Sequence, residues 1–153
     1  MEIRKANYND IAELTKIRTD LLKECAEDGI NGIEQLLYDK TNTYFIENIP
    51  NGNFVSYIAI DNGQIVATSG LCFYSVPPSH SNISGMVAYI MNMYTKPEYR
   101  KRGLAMKLLD CVVNEAKARG CMNITLNASE MGKPIYKKYG FKDVDNDMVY
   151  TVS

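Results

Sequence analysis

The sequence predicts a mixed α/β fold, with about seven strands in one sheet and helices on both faces. Three observations carry this. The chain has 153 residues, the size of one domain with a substantial core. Strand-like and helix-like patterns follow one another in the order β-α-α-β-β-β-α-β-α-β-β. The longest apolar run, "MVAYIMNMYT" (86–95), reads as a central strand covered from both sides. There is no internal repeat, linker or low-complexity segment, so residues 1–153 are expected to form a single domain.

"EIRKAN" (2–7) alternates weakly and opens the sheet. Asn9 or Asp10 then caps a helix whose apolar face is Ile11, Leu14, Ile17, Leu21 and Leu22, spaced by three and four residues. "EDGING" (27–32) breaks that helix, and a second pattern around Ile33, Leu36 and Leu37 ends before Pro50. "FVSYIAI" (54–60) and "QIVATSGLCFY" (64–74) flank an Asn62-Gly63 step, a hairpin signal. A Ser- and Pro-containing loop (75–85) leads into the 86–95 strand. A helix follows from about Lys101 to Arg119, with Leu104, Leu108, Val112 and Ala116 along one face. Glu115 and Arg119 form an i,i+4 pair there, and Gly120 supplies the stop. "MNITLNA" (122–128) is a strand. "SEMGKPIYKKYG" (129–140) is a short helix that tolerates Pro134 only near its start, and "DMVYTV" (147–152) is a terminal strand.

Composition narrows the function. Net charge is −1 and the sequence pI is about 5.8, whereas coating of DNA or RNA draws on a strong basic surplus. No nucleic-acid partner is therefore expected. No apolar run approaches the roughly 20 residues that span a bilayer, and the N-terminus has no apolar signal core. The expectation is a cytoplasmic protein with no membrane partner. Cys25, Cys72, Cys111 and Cys121 form no CxxC pair, and the one histidine, His80, is remote from them. Free thiols and no metal are the expectation.

One stretch stands out. "YTKPEYRKRGLA" (94–105) gathers Lys96, Arg100, Lys101 and Arg102, stops at Gly103 and passes at once into a helix. A strand that ends in a glycine turn and opens a helix is an anion site, because the first backbone N–H groups of the helix have no internal partners and the dipole adds positive charge. The triphosphate loop GxxxxGK[ST] and the dinucleotide fingerprint GxGxxG are absent. The turn instead reads Arg100-x-x-Gly103-x-Ala105, the pattern [QR]-x-x-G-x-[GA]. By itself that pattern also fits a solvated turn.

In context the sequence resembles the GNAT superfamily of acyl-CoA-dependent N-acyltransferases. "MNMYTKPEYRKRGLAMKLL" looks like the family's coenzyme-binding motif and "LNASEMGKPIYKKYGF" like its second motif. The element order also matches. The likeness is specific over about 90–141 and weak before residue 50. It implies a mostly antiparallel twisted sheet, splayed between the fourth and fifth strands (86–95 and 122–128), with a bulge near Asn92–Met93. Acetyl-CoA is the implied co-substrate, and an amine the implied acceptor. Met93, Tyr94 and Thr95 would line the pantetheine arm, and the N–H groups of Lys101, Arg102, Gly103, Leu104 and Ala105 the pyrophosphate, with Arg100 assisting. Asn127 matches a position that touches the pantetheine; a strand-end turn is the other reading. The backbone N–H of Met93 would stabilise the oxyanion, and Tyr136, in Y-x-x-x-G-F, would protonate the leaving thiolate. Tyr139 lies on the same helix but off the motif. No strand residue offers a general base, which leaves a water chain, Glu24, Glu27, Glu47 or the loop residue His80. Arg18 either binds substrate or covers surface. A non-catalytic acyl-CoA sensor of the same fold is the alternative function. Family habit adds a homodimer.

Overall fold

A computed structural model of the chain describes residues 1–26 and 30–152. The elements are β1 (Glu2–Lys5), α1 (Ile11–Cys25), α2 (Glu34–Asn48), β2 (Phe54–Val55), β3 (Tyr57–Asp61), β4 (Gln64–Ser75), β5 (Met86–Thr95), α3 (Leu104–Ala118), β6 (Asn123–Leu126) and α4 (Lys133–Tyr139). The sheet runs β1-β3-β4-β5-β6, with β2 pairing β4 beyond the end of β3. Every pair is antiparallel except β5 with β6. That parallel pair needs a crossover, and α3 provides it.

Local chemistry explains most boundaries. Asn7 and Asp10 form a reciprocal capping box around a 3₁₀ turn (Tyr8–Asp10) that leads into α1. Asp10 is at the helix start as expected, but the hydrogen bond is made by Asn7 to the N–H of Asn9. Asn62 and Gly63 both take positive φ, 50° and 74°, the signature of the tight turn that joins twisted strands. The β5 limits are those read from the sequence. α3 begins at Leu104, three residues later than the Lys101 start expected from the sequence. Lys101 and Gly103 have φ of 63° and 79°, which ends helical geometry on their N-terminal side.

Two layers of side chains sandwich the sheet. On one face Ile11, Leu14, Ile17 and Phe45 from α1 and α2 pack on Phe54, Ile58 and Ile65. On the other, Leu109, Val112 and Val113 of α3 meet Val55, Leu71, Ala88 and Ile90, while Leu104 and Leu108 cover Ala59, Val66 and Ala67. The helices lie on both faces as expected.

The strand count is six rather than about seven. The segment 147–152 makes no ladder with any strand, and Met148, Val149, Tyr150 and Val152 stand 85–96% exposed. Alternating β-formers create only a capacity for strand; the ladder partner creates the strand. The polar link 142–147 does not return the segment to the sheet.

Candidate active site

The site is built on an irregularity in β5. Gly70 opposes Met91, yet Thr68 opposes Tyr94, so β5 carries one extra residue between these points. That residue is at Asn92, whose φ is 59°. Asparagine is among the few non-glycine residues that tolerate this conformation. The Thr68 hydroxyl donates to the Asn92 carbonyl at 2.8 Å and holds the bulge. Asn92 is 4% exposed, and neither the nitrogen nor the oxygen of its side-chain amide has a partner among the described residues. Gly70 faces this point because any Cβ there would come within 2.6 Å of Phe54 Cζ and 2.9 Å of the Met91 carbonyl.

The bulge changes which face the side chains address. Before it, Ala88 and Ile90 face α3 while Met91 faces α1 and α2; after it, Met93 faces α3 and Tyr94 the other layer. Ladder pairing between β5 and β6 runs from Val87–Asn123 to Ile90–Leu126 and then stops. From Met91 to Thr95, β5 pairs only with β4. The sheet is therefore open between the two strands on the side of the bulge, as the resemblance implies.

The opening points toward the turn before α3. The N–H groups of Lys101 to Met106 donate no hydrogen bond among the described residues; the first bond of this turn comes from Lys107 to the Gly103 carbonyl, at 3.2 Å. Gly103, Leu104 and Ala105 thus offer bare donors at the positive end of a 15-residue helix, suited to a phosphate. Nothing lies within 4 Å of where a Gly103 Cβ would stand. Lys101 is exposed. Arg102 lies over the Tyr99 ring at 4.9 Å and donates to the Glu98 carbonyl. Arg100 is turned inward: Nε donates to the Thr95 carbonyl at 2.9 Å, and the guanidinium is 3.8 Å from Glu24 and over the Tyr94 ring. It ties the end of β5 to the turn.

Two tyrosines on α4 separate cleanly. Tyr139 donates to Asp110 on α3 at 2.8 Å, and burial together with that bond pushes its phenol up to about 12. Tyr136 packs against the apolar cluster under α3, and burial pushes its phenol up as well. Its hydroxyl has no partner among the described residues. The Tyr136 ring is seated edge-on to Phe141 at 6.1 Å, and only a glycine at 132 leaves it room, a Cβ there falling 2.9 Å from the ring. Tyr136 and Asn127 both line a groove of about 720 Å³ beside β6. The Asn127 amide donates to the Tyr89 hydroxyl at 3.0 Å.

On the opposite layer, a cavity of about 440 Å³ is walled by Tyr44, Phe45 and Phe54 and floored by Cys72, Tyr89 and Met91; Arg18 and Lys40 are its cations. Sequence reading did not find it, apart from weighing Arg18. The one available signal was the parity of β5, which puts Tyr89 and Met91 on the α1/α2 face. Of the base candidates, Glu24 accepts from the Tyr94 hydroxyl at 3.4 Å, and Glu47 is exposed on α2. His80 is exposed in the Ser79–Asn82 turn and lines neither cavity. Glu27 lies outside the described residues. Cys121 is buried, Cys72 and Cys111 are half-buried, Cys25 is exposed, and all are free thiols. No metal-binding cluster occurs among the described residues, and no described helix is long and apolar enough to cross a membrane.

Comparison with known proteins accords with this geometry. The profile of the acetyltransferase (GNAT) domain matches residues 52–143. A glucosamine 6-phosphate N-acetyltransferase of Trypanosoma brucei brucei is 28% identical over 86 residues, 56% of each chain. A thialysine N-epsilon-acetyltransferase of Bos taurus is 31% identical over 85 residues, 54% of this chain and 48% of that one. The chain spans about half the length of these relatives. Among solved structures, a predicted acetyltransferase from Clostridium acetobutylicum with acetyl-CoA superposes with a TM-score of 0.88 at 40% identity, covering 98% of this chain and 95% of that one. With the domain profile matching well over half of its length and its sheet opening beside a bulge above a bare helix start, the chain belongs to the GNAT acetyltransferase family.

Proposed function

We propose that the protein moves an acetyl group from acetyl-CoA to a primary amine of a small molecule by direct attack within a ternary complex. The observation that carries this reading is the continuous path from the open edge of β5 (Met91–Thr95) to the unbonded N–H groups of Lys101–Met106. The first can pair with an amide-bearing arm as a strand would. The second suits a pyrophosphate. Met93, Tyr94 and Thr95 hold the arm; Lys101, Arg102, Gly103, Leu104 and Ala105 hold the phosphates through their backbone. Arg100 acts chiefly by fixing the end of β5. Asn127 acts at the same opening, held by its bond to Tyr89.

The amine nitrogen attacks the thioester carbon, and the oxyanion is met by the Met93 N–H. The carbon–sulfur bond then breaks. The sulfur takes the Tyr136 proton, and the nitrogen gives up its surplus proton to water, from which Tyr136 is reprotonated. No covalent acyl-enzyme is required. Tyr136 fits the acid role because a phenol holds its proton at neutral pH and its hydroxyl is unengaged among the described residues, unlike that of Tyr139.

The test is release of free CoA thiol from acetyl-CoA across a panel of amines. Turnover that falls 100-fold or more in Tyr136→Phe, within the range for a lost general acid, supports the assignment. Acetyl-CoA binding with no thiol release from any amine would favour a sensor instead. The reading also includes a homodimer, supported by the exposed apolar segment Met148–Val152. A monomer mass at all concentrations in sedimentation would overturn that part.

A further inference from the structure

We propose that the acceptor carries an anionic group, a carboxylate or a phosphate, in addition to its amine, and that Arg18, with Lys40 beside it, recognises that group in the cavity between α1, α2 and the sheet. This rests on the acetyltransferase reading above and names the substrate class for that site.

Three observations support it. First, among the described residues the cavity is lined by two cations and no carboxylate. Arg18 comes from α1 and Lys40 from α2, and the remaining walls are aromatic, aliphatic or neutral polar. Second, Arg18 is half-buried yet makes no ion pair among the described residues, whereas Arg4, Arg100 and Arg119 each meet a carboxylate. Its surroundings are Tyr44, Tyr89 and Cys72, and burial pushes its guanidinium down. An arginine stays charged even so, so Arg18 is a partly desolvated cation with no counter-charge among the described residues. Such a group is unfavourable alone and favourable once a carboxylate or phosphate docks in its planar fork. Third, β5 forms part of the floor of the cavity, beside Cys72 of β4. Tyr89 and Met91 lead directly into the bulge at Asn92. An acceptor anchored by its anion at Arg18 therefore extends its other end along β5 toward the Met93 N–H, where the thioester carbon is expected. A volume of about 440 Å³ suits an amino acid or a sugar phosphate.

The experiment uses amine pairs that differ only in the anion: cadaverine against lysine for the carboxylate, and glucosamine against glucosamine 6-phosphate for the phosphate. Thiol release gives kcat and KM for the wild type, Arg18→Gln and Arg18→Lys. Calorimetry reports binding of each amine in the presence of CoA, independently of turnover. In the wild type, at least one anionic twin is expected to exceed its neutral twin by tenfold or more in kcat/KM and in affinity; whichever pair shows it names the group. In Arg18→Gln that advantage falls to within about twofold, through KM, while acetyl-CoA affinity is retained. Arg18→Lys recovers part of it. Thermal melts of both variants show that they are folded. Equal or better binding and turnover of the neutral twins would overturn the anionic class and leave the acetyltransferase reading intact. Arg18-dependent binding of an anionic twin without thiol release would overturn the transfer reading and support the anion site. If neither anionic twin binds more tightly than its neutral partner, the anion site is wrong regardless of turnover.

Discussion

Glu115 sits at a junction whose strength can be worked from its geometry. It lies on α3, with its side chain 12% exposed. It accepts from Lys5 of β1 at 2.7 Å, from the Tyr57 hydroxyl of β3 at 2.9 Å and from Arg119 at 3.0 Å. Arg119 in turn bonds the Gly52 carbonyl and stacks on Phe73. Burial pushes the Glu115 carboxyl up, but the three hydrogen bonds outweigh it and hold the group at about 2 instead of 4.5. At about 1.36 kcal/mol per pH unit, that difference corresponds to about 3 kcal/mol. Lys5 is 52% exposed, so its share is screened, leaving about 2 kcal/mol. The folded value is depressed, so this stability is present above pH 4.5 and is lost as pH falls toward 2. Glu115→Gln should therefore be less stable than the wild type by about 2 kcal/mol at pH 7. The gap should close by more than half at pH 3, because the carboxyl is then protonated in the unfolded chain and folding has to release that proton. Urea unfolding followed by circular dichroism at pH 7, 5 and 3 measures it. A gap that does not change between pH 7 and 3 would refute the reasoning, since it would mean that the carboxylate charge contributes nothing.

Three further outcomes follow from the geometry. Gly103→Ala puts a Cβ into open space at a φ of 79°, so the fold should lose only about 1 kcal/mol and a few degrees of Tm; acetyl-CoA affinity, titrated by fluorescence, should drop tenfold or more because the Cβ occupies the phosphate approach. Tyr139→Phe removes the bond to Asp110 and should cost about 1 kcal/mol in urea unfolding while keeping kcat within about threefold, in contrast to Tyr136→Phe with its range of 10²–10⁴. Leu108→Ala empties a fully buried position between α3 and the sheet and should cost about 2–5 kcal/mol, read as a lowered urea midpoint with the m-value unchanged.

Much of the fold was legible because the patterns were local. β5 is a continuous apolar run bracketed by Gly85 and Pro97, and the hairpin at Asn62-Gly63 is a two-residue signal. The start of α3 was read early because Lys101 and Arg102 are good helix formers; only their backbone angles show the turn. "DMVYTV" was misread because alternation says nothing about a partner. The anion turn could be located because its parts are contiguous in the chain. The cavity of Arg18 and Lys40 could not, because its walls come from two helices and three strands joined only by tertiary packing. The inward turn of Arg100 was equally hidden, since it depends on Glu24, 76 positions earlier.

The extra residue at Asn92 bears on how this chain can vary over evolutionary time. Side chains along β5 can change size, but the length of β5 is under a different kind of constraint. Removing the extra residue would leave Met93 and Tyr94 on their present layers but would make the ladder with β4 regular and abolish the bulge beside which the sheet opens. Adding one in the regular stretch before it would shift the alternation and move Tyr89 and Met91 to the other layer. Single-residue insertions and deletions here should be far rarer among natural variants than substitutions, whereas the exposed stretch 76–81 should tolerate both.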